Sequence, residues 1–428
     1  MTTPTPDASG ATVAPTAPGT PHGDAGEDLP RKARASRATL LGAMFLMATS
    51  SIGPGFITQT TQFTVQLGAA FAFAILVSVL IDIALQLNVW RVIGVSGRRA
   101  QELANEVLPG LGWLLAALLL VGGVVFNIGN VAGTGIGTEA LMGLDPKIGA
   151  GLSALLAISI FVSRWAGMAL DRAVVVLGAL MIALTTYVMF VSNPPVGSAL
   201  KNTVAPEVVD SLAITTLVGG TIGGYIIYAG AHRLVDAGTT GPESVKDISR
   251  TSIIAILVTS LMRVLLFLAI LGVVAGGAEL AGTSQAAAAF QSAAGEVGLR
   301  LFGAVFWAAA ISSVVGCSYT TISFLTSSTK TPARTRNLLT GGFILLSAIL
   351  YLVLGKAPTT LLVFAGAFNG ILLPLGIGVM LWIGWTRRDL LHGYEYPRWL
   401  LVIGTLAWLV TLYLAVVSVQ PLIDLMTS

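Results

Sequence analysis

Ser50-Ser51-Ile52-Gly53-Pro54-Gly55-Phe56-Ile57-Thr58-Gln59-Thr60-Thr61-Gln62-Phe63-Thr64 is a polar run in the middle of an apolar segment. Leu40 to Met47 leads into it, Ala69 to Leu80 follows it, and no charged residue stands between Arg37 and Asp82. Glycine, proline and amide side chains at membrane depth are costly unless they line a cavity or face protein. An interrupted membrane helix is how many secondary transporters build a substrate site. The run therefore predicts a transporter whose first span is broken.

The whole chain fits that setting. It has 428 residues, 55% hydrophobic and 10% charged, with a mean hydropathy of +0.85. A soluble domain carries about 25% charged residues. Repeated apolar stretches of about 20 residues indicate an all-α polytopic membrane protein. The net charge of +3 is no nucleic-acid signal, because the basic residues lie in loops between spans. The lone cysteine, Cys317, excludes an intrachain disulfide framework and any multi-cysteine metal site, and reads as a packing residue. No nucleophile–base set or metal cluster falls at membrane depth, so an enzyme is not expected. Residues 1–37, rich in Pro, Thr, Ala, Gly and Asp, are expected to form a disordered tail without the pattern of a cleaved signal peptide.

About eleven spans are expected, near 38–67, 70–93, 111–139, 148–164, 172–192, 211–234, 252–276, 295–327, 337–355, 359–385 and 399–419. One set of loops holds Arg91, Arg98 and Arg99; Arg164 and Arg172; Arg233, Lys246 and Arg250; Lys330, Arg334 and Arg336; Arg387, Arg388 and Arg398. These alternate with loops holding only Lys147, Lys201 or Lys356. By the positive-inside rule the first set and the N-terminal tail are cytoplasmic. An odd number of spans then puts the C-terminus outside a cell (inner or plasma) membrane. Trp90, Trp385 and Trp399 read as interface anchors.

The sixth span shares the peculiarity of the first. Val218-Gly219-Gly220-Thr221-Ile222-Gly223-Gly224-Tyr225 places four glycines within six residues, each weakening a helix by roughly 1 kcal/mol relative to alanine. Two interrupted spans, five apart, fit an inverted 5+5 repeat. The expected organisation is a first five-helix repeat over 38–194, a second over 195–385, and a loop, an eleventh helix and a C-terminal tail over 386–428.

Gly53-Pro54-Gly55-Phe56 resembles the GPGF or GPAF opening of helix 1 in the Nramp family of divalent-metal transporters. Val218 to Ile222 resembles the start of that family's sixth helix. Phe126-Asn127-Ile128-Gly129-Asn130-Val131-Ala132-Gly133 falls where its third helix carries an acidic pair. The resemblance covers roughly residues 38–420 and implies an eleven-helix LeuT-type fold with interrupted helices 1 and 6, working by alternating access. The family's functional motifs are missing. The Asp and Asn of its DPGN sequence fall on Thr64 and Leu67 when counted without gaps, its Met-Pro-His on Gly223, Gly224 and Tyr225, and its acidic pair on Asn127 and Asn130. The chain also resembles the divergent Nramp-like branch associated with 5-oxoproline utilisation. Phe45 to Thr60, Ile81-Asp82-Ile83 and Phe126 to Asn130 carry that resemblance.

The chemistry of the residues leads the same way. A transition-metal ion needs carboxylate, imidazole or thioether ligands, and a hard dication needs several charged oxygens. The interrupted spans offer hydroxyls, amides and backbone, which suit a small carboxylate held at half-helix N-termini. The substrate-binding candidates are Thr58, Gln59, Thr61, Gln62, Thr64, Gly219, Gly220, Gly223, Gly224, Tyr225, Asn127 and Asn130, with Gln66 and Tyr228 beside them. Asp82, His232 and Arg263 are candidates for coupling to H+ or Na+, Asp82 and Arg263 also for a structural pair and His232 also for a capping or interfacial role. Ser312, Ser313 and Ser318 belong to a hydroxyl-rich stretch in span 8 that either lines a Na+ site or bonds back to its own helix. Asn369 and Pro374 are expected to mark a kink near the path. No metal ligand, cofactor, nucleic acid or obligate protein partner is expected. The partners are a small-molecule solute and the lipid bilayer. A hydrated Mg2+ or Mn2+ remains the alternative cargo.

Overall fold

The computed structural model describes Leu40, residues 43–44, Met47, and residues 51–162, 164–326 and 331–427. The expected tail over 1–37 lies outside these residues. The described secondary structure is helical throughout.

The first break is fixed by a Gly-Pro step. Helical backbone at Met47 and Ser51 gives way to bends at Ile52 and Gly53. Gly53 is extended (φ −99°, ψ −173°), and helix α1 (Pro54–Leu67) starts on the proline. Proline disfavours helical backbone at the residue before it and is tolerated at the first helical position, where its missing N–H costs nothing. The Thr/Gln run is therefore regular helix beyond the break, not the break itself. The hydroxyls of Thr60, Thr61 and Thr64 donate to the carbonyls of Phe56, Ile57 and Thr60. A short 3-10 turn, Gly68–Ala70, joins α1 to α2 (Phe71–Ser96).

Helices α3 (Ala100–Val107), α4 (Leu111–Met142), α5 (Pro146–Val162), α6 (Arg164–Val191) and α7 (Val196–Val204) complete the first half. The sixth span is two helices, α8 (Ser211–Ile222) and α9 (Ile226–Asp236). Between them Gly223 is extended, and Gly224 takes a left-handed conformation (φ +55°) that other L-residues adopt only at a cost. Then follow α10 (Val245–Ala275), α11 (Gln285–Leu325, with a non-helical residue at Gly295), α12 (Ala333–Leu354), α13 (Pro358–Thr386), α14 (Arg398–Val417) and α15 (Val419–Thr427).

Eight described helical stretches are long and apolar enough to cross a membrane, or nine if α6 and α7, bent by 106°, form one span. The expected eleven is reached only by dividing Pro54–Ser96 at Gly68–Ala70 and counting the shorter apolar helix Pro146–Ile160. Val196–Val204 is helix where the sequence reading had only a loop.

The broken sixth span is the central one. In its most apolar window 94% of residues are buried, against 50% in α4 and 33% in α14. Glycines let its neighbours approach. A Cβ on Gly219 would collide with the backbone of Gly366 and Gly370 in α13, and one on Gly133 with the Pro54 ring. Such small-residue contacts are the usual way membrane helices pack closely. Trp90 also differs from expectation. It is fully buried, donating Nε1–H to Ile227 O at 2.8 Å, whereas Trp385 and Trp399 are exposed.

Candidate functional site

At the first break, three elements bring uncharged polar groups together. A Cβ on Gly53 would lie 2.6 Å from Ser313 Oγ of α11 and 3.8 Å from Asn130 Oδ1 of α4. Asn130 is fully buried, and neither its carbonyl nor its amide group has a protein partner. Ser313 Oγ also lacks one. One turn earlier, Asn127 donates from Nδ2 to Ser318 Oγ (3.2 Å) and Ser347 Oγ (3.1 Å), and its Oδ1 is unpartnered. Ser318 bonds back to Val314 O at 2.6 Å, so of these two buried serines of the span-8 stretch it is Ser313 whose hydroxyl has no protein partner.

The second break abuts α13. A Cβ on Gly224 would collide with Asn369 Oδ1, an acceptor without a protein partner. Asn369 Nδ2 donates to Ala365 O and Gly122 O at 2.9 and 3.1 Å. Tyr225 is buried edge-on against Phe126 at 5.8 Å and lies beside Cys317. An apolar crevice reaching Gly224 and Tyr228 holds about 20 Å3, room for about one water. Gln59 acts as a wedge between helices: it is buried, donates to Leu362 O at 2.9 Å, and sits where a Cβ on Gly220 or Gly366 would collide with its amide.

A hydrogen bond joins the two breaks. Ser51 Oγ lies 2.7 Å from Thr221 O and 3.0 Å from Met47 O. The Thr221 hydroxyl accepts from Arg263 Nη2 at 2.9 Å and is in reach of the Asp82 carboxylate. Arg263 also stacks over the Phe56 ring at 4.2 Å. The Thr221 hydroxyl itself donates to Leu217 O at 2.8 Å, so Asp82 and Arg263 flank it in a buried cluster against the sixth span's break. An isolated buried charge is prohibitive, so each depends on the other, and Arg263 also on this hydroxyl.

His232 is elsewhere. Its Nε2 accepts from Ala100 N at 3.2 Å, capping the start of α3, and its ring packs 4.9 Å from Phe324. Beside it Arg99 pairs with Asp236 at 2.8 Å and donates to Ser323 O at 3.3 Å. These contacts tie the ends of α9 and α11 to the α2–α3 junction. On the neighbouring exposed loop, hydrogen bonds from Arg387 hold the Asp389 carboxyl below its usual range.

Thr58, Thr61, Gln62 and Gln66 occupy a different place from the buried candidates. They line a polar cavity of about 280 Å3, with residues from the segment before α11 and the first turn of α13. Thr64 is buried and bonded to its own helix. Gly219 and Gly220 pack helices, and Gly223 shapes the break. The sequence reading missed Thr283, Gln285, Thr359 and Thr360 on this cavity. Their signal was faint: Ser284 before Gln285 is an N-cap, and Pro358-Thr359-Thr360 is a proline-led helix start. Among the described residues, no group of three or more His, Cys, Asp and Glu side chains could hold a metal ion.

Comparison with known proteins places this geometry in a family. The chain is 47% identical over 392 residues to the uncharacterized membrane protein YcsG of Bacillus subtilis, covering 91% of this chain and 96% of that one. It is 46% identical to an uncharacterized membrane protein of Haemophilus influenzae, covering 92% and 98%. Its fold is shared with the manganese transporter of Eremococcus coleocola (TM-score 0.71, 17% identity, 92% of this chain and 89% of that one). It is also shared with MhsT bound to L-phenylalanine (TM-score 0.62, 18% identity, 92% and 100%). The architecture is the LeuT type, and members of the matching family are transporters. The family model of natural resistance-associated macrophage protein-like (Nramp) proteins matches residues 44–421, and the chain belongs to that family.

Proposed function

We propose that the chain is a secondary active transporter of a small organic carboxylate or amino-acid derivative, with 5-oxoproline as the best-matching solute, coupled to H+ or Na+. Asn130 supports this reading most directly. A buried amide with both ends unpartnered costs roughly 1–3 kcal/mol per group. A lactam offers both a carbonyl and an N–H, which such an amide and the Ser313 hydroxyl complement. A dehydrated dication would meet no carboxylate in the first break's lining, and amides compensate its charge poorly. In this reading Asn127, Asn130 and the break glycines form the central site, and Thr58, Thr61 and Gln62 its approach. The Asp82–Thr221–Arg263 cluster is the coupling element, and His232 belongs to the Arg99 end. The protein sits in the cell membrane with its N-terminus cytoplasmic and its C-terminus outside, built from five-helix repeats over 38–194 and 195–385.

The test is uptake of labelled 5-oxoproline by the purified chain in liposomes under an imposed H+ or Na+ gradient. The expected result is saturable uptake that Asn130→Leu reduces while leaving the folded fraction unchanged. Kinship with a family of divalent-metal transporters favours a second reading, Mg2+ or Mn2+ as cargo. Saturable Mn2+ flux with no 5-oxoproline uptake would establish that reading instead.

A further inference from the structure

The outer flank of α13 carries a groove whose lining side chains are all apolar. Its floor is the stripe Leu375, Gly378, Val379 and Trp382, one helix face at three- and four-residue spacing. Trp408 and Leu412 of α14 wall it, and Val107, the last residue of α3, also lines it. The groove holds about 280 Å3. From Pro374 to Trp382 it is about 12 Å long at the helical rise. That is close to the depth of one leaflet, half of a hydrocarbon core about 30 Å thick.

The wall is built to be apolar. Trp408 donates its only polar hydrogen, on Nε1, to Pro374 O at 2.7 Å, which leaves the rest of the indole to the groove. A Cβ on Gly378 would lie 3.3 Å from the Trp408 ring, so the glycine keeps the floor low. Leu375, Trp382 and Leu412 are exposed. A void with such a lining holds no water, which needs polar partners. In a membrane protein its natural filling is hydrocarbon.

The end of the groove is charged. The floor stripe continues to Thr386, the last residue of α13, and then to Arg387 and Arg388. Arg387 Nη1 donates to Glu106 O at 2.7 Å, next to Val107 of the groove. Arg387 pairs with Asp389 at 2.7 Å and Arg98 with Glu106 at 2.6 Å. Arg388 is exposed and, among the described residues, has no carboxylate partner. Three arginines thus meet two carboxylates at this rim, and Arg388 is the cation left over. Trp385, near one turn on from Trp382, is exposed with its Nε1–H on Thr405 Oγ1 at 3.1 Å, as an amphipathic ring sits at head-group level.

We propose that an anionic glycerophospholipid docks here, one acyl chain in the groove and its phosphate at Arg388. The proposal rests on neither reading of the cargo. Another face of α13 packs Gly366 and Gly370 against Gly219 of the sixth span. Pro374 has no N–H to give its own helix. A lipid behind Pro374 therefore steadies the helix on which the broken span leans.

The experiment uses the full chain in detergent with phosphatidylglycerol or phosphatidylcholine of identical chains. Native mass spectrometry counts the bound lipid, and thermal unfolding reads its effect. The expected result is one retained phosphatidylglycerol, bound about fivefold more tightly than phosphatidylcholine, as one arginine near a charged head group allows. Arg388→Gln should erase that ratio. Leu412→Trp and Leu375→Trp, which fill the groove from exposed positions, should each weaken both lipids and leave the melting temperature without lipid unchanged. Equal affinity of the parent chain for the two lipids would overturn the proposal. So would phosphatidylglycerol binding untouched by both filling variants. A lipid-free dimer of the parent chain that Leu412→Trp dissociates would give the groove to a second copy instead.

Discussion

Ser51, in the last helical turn before the first break, places its hydroxyl 2.7 Å from the carbonyl of Thr221, just before the second break. Each interruption frees carbonyls that a continuous helix would satisfy. The protein joins the two breaks to each other, and through the Thr221 hydroxyl to Arg263. A shift of the first span is therefore felt directly at the charged cluster on α2 and α10.

Ser51→Ala removes that link. The hydroxyl has a second acceptor in Met47 O, so the loss should be modest, about 1 kcal/mol as for membrane-buried hydrogen bonds generally. Thermal unfolding in detergent checks it. A cost well above this would mean the serine carries more than the junction.

Gly224→Ala should cost more than its single methyl implies. It forces an L-residue into left-handed backbone, at about 1–2 kcal/mol, and drives a Cβ into Asn369. Gly151→Ala is the control, since Gly151 has open space around it and regular helix. It should be neutral or stabilising by up to about 1 kcal/mol. Equal melting temperatures for the two variants would contradict the backbone assignment.

Asp82→Asn leaves Arg263 buried beside a neutral partner, a loss of about 3–5 kcal/mol when such pairs are broken singly. Asp82→Asn with Arg263→Gln should recover part of it. A double-mutant cycle in thermal stability reads the coupling directly. Strict additivity would show that the two groups do not sense each other. If the cluster couples transport, Asp82→Asn in Arg263→Gln background should also exchange solute across liposomes while losing gradient-driven accumulation.

The Arg99–Asp236 pair is partly exposed, with side-chain exposures of 11% and 46%. It is worth at most about 1 kcal/mol, close to a fivefold change in a two-state population. Arg99→Ala should therefore raise thiol labelling of Ser323→Cys about fivefold. An unchanged rate would mean the ion pair does not hold that end shut.

Much of this was readable from residue order. Gly53-Pro54 and the glycines at 219–224 announced both breaks, because backbone chemistry there is local. The location of the first break relative to the polar run was less readable. Thr60, Thr61 and Thr64 satisfy their hydroxyls on their own helix, so a polar composition concealed regular winding. The division of the candidates into a buried set around Asn130 and a cavity set around Thr58 depends on which face meets α13 and the segment before α11. Those contacts join residues some 300 positions apart, such as Gln59 and Leu362. Trp90 and His232 show the same limit. Trp90 looked like an interface anchor, and His232 offered both a coupling and a capping role; tertiary contacts gave them Ile227 O and Ala100 N.

Parallel flux in one preparation of liposomes tests the central claim most directly: labelled 5-oxoproline and Mn2+, each with the wild-type chain and with Asn130→Leu. The account expects saturable uptake of the carboxylate, sharply reduced by the substitution, and Mn2+ flux no greater than in empty liposomes. Saturable Mn2+ entry, with the carboxylate excluded, would contradict it.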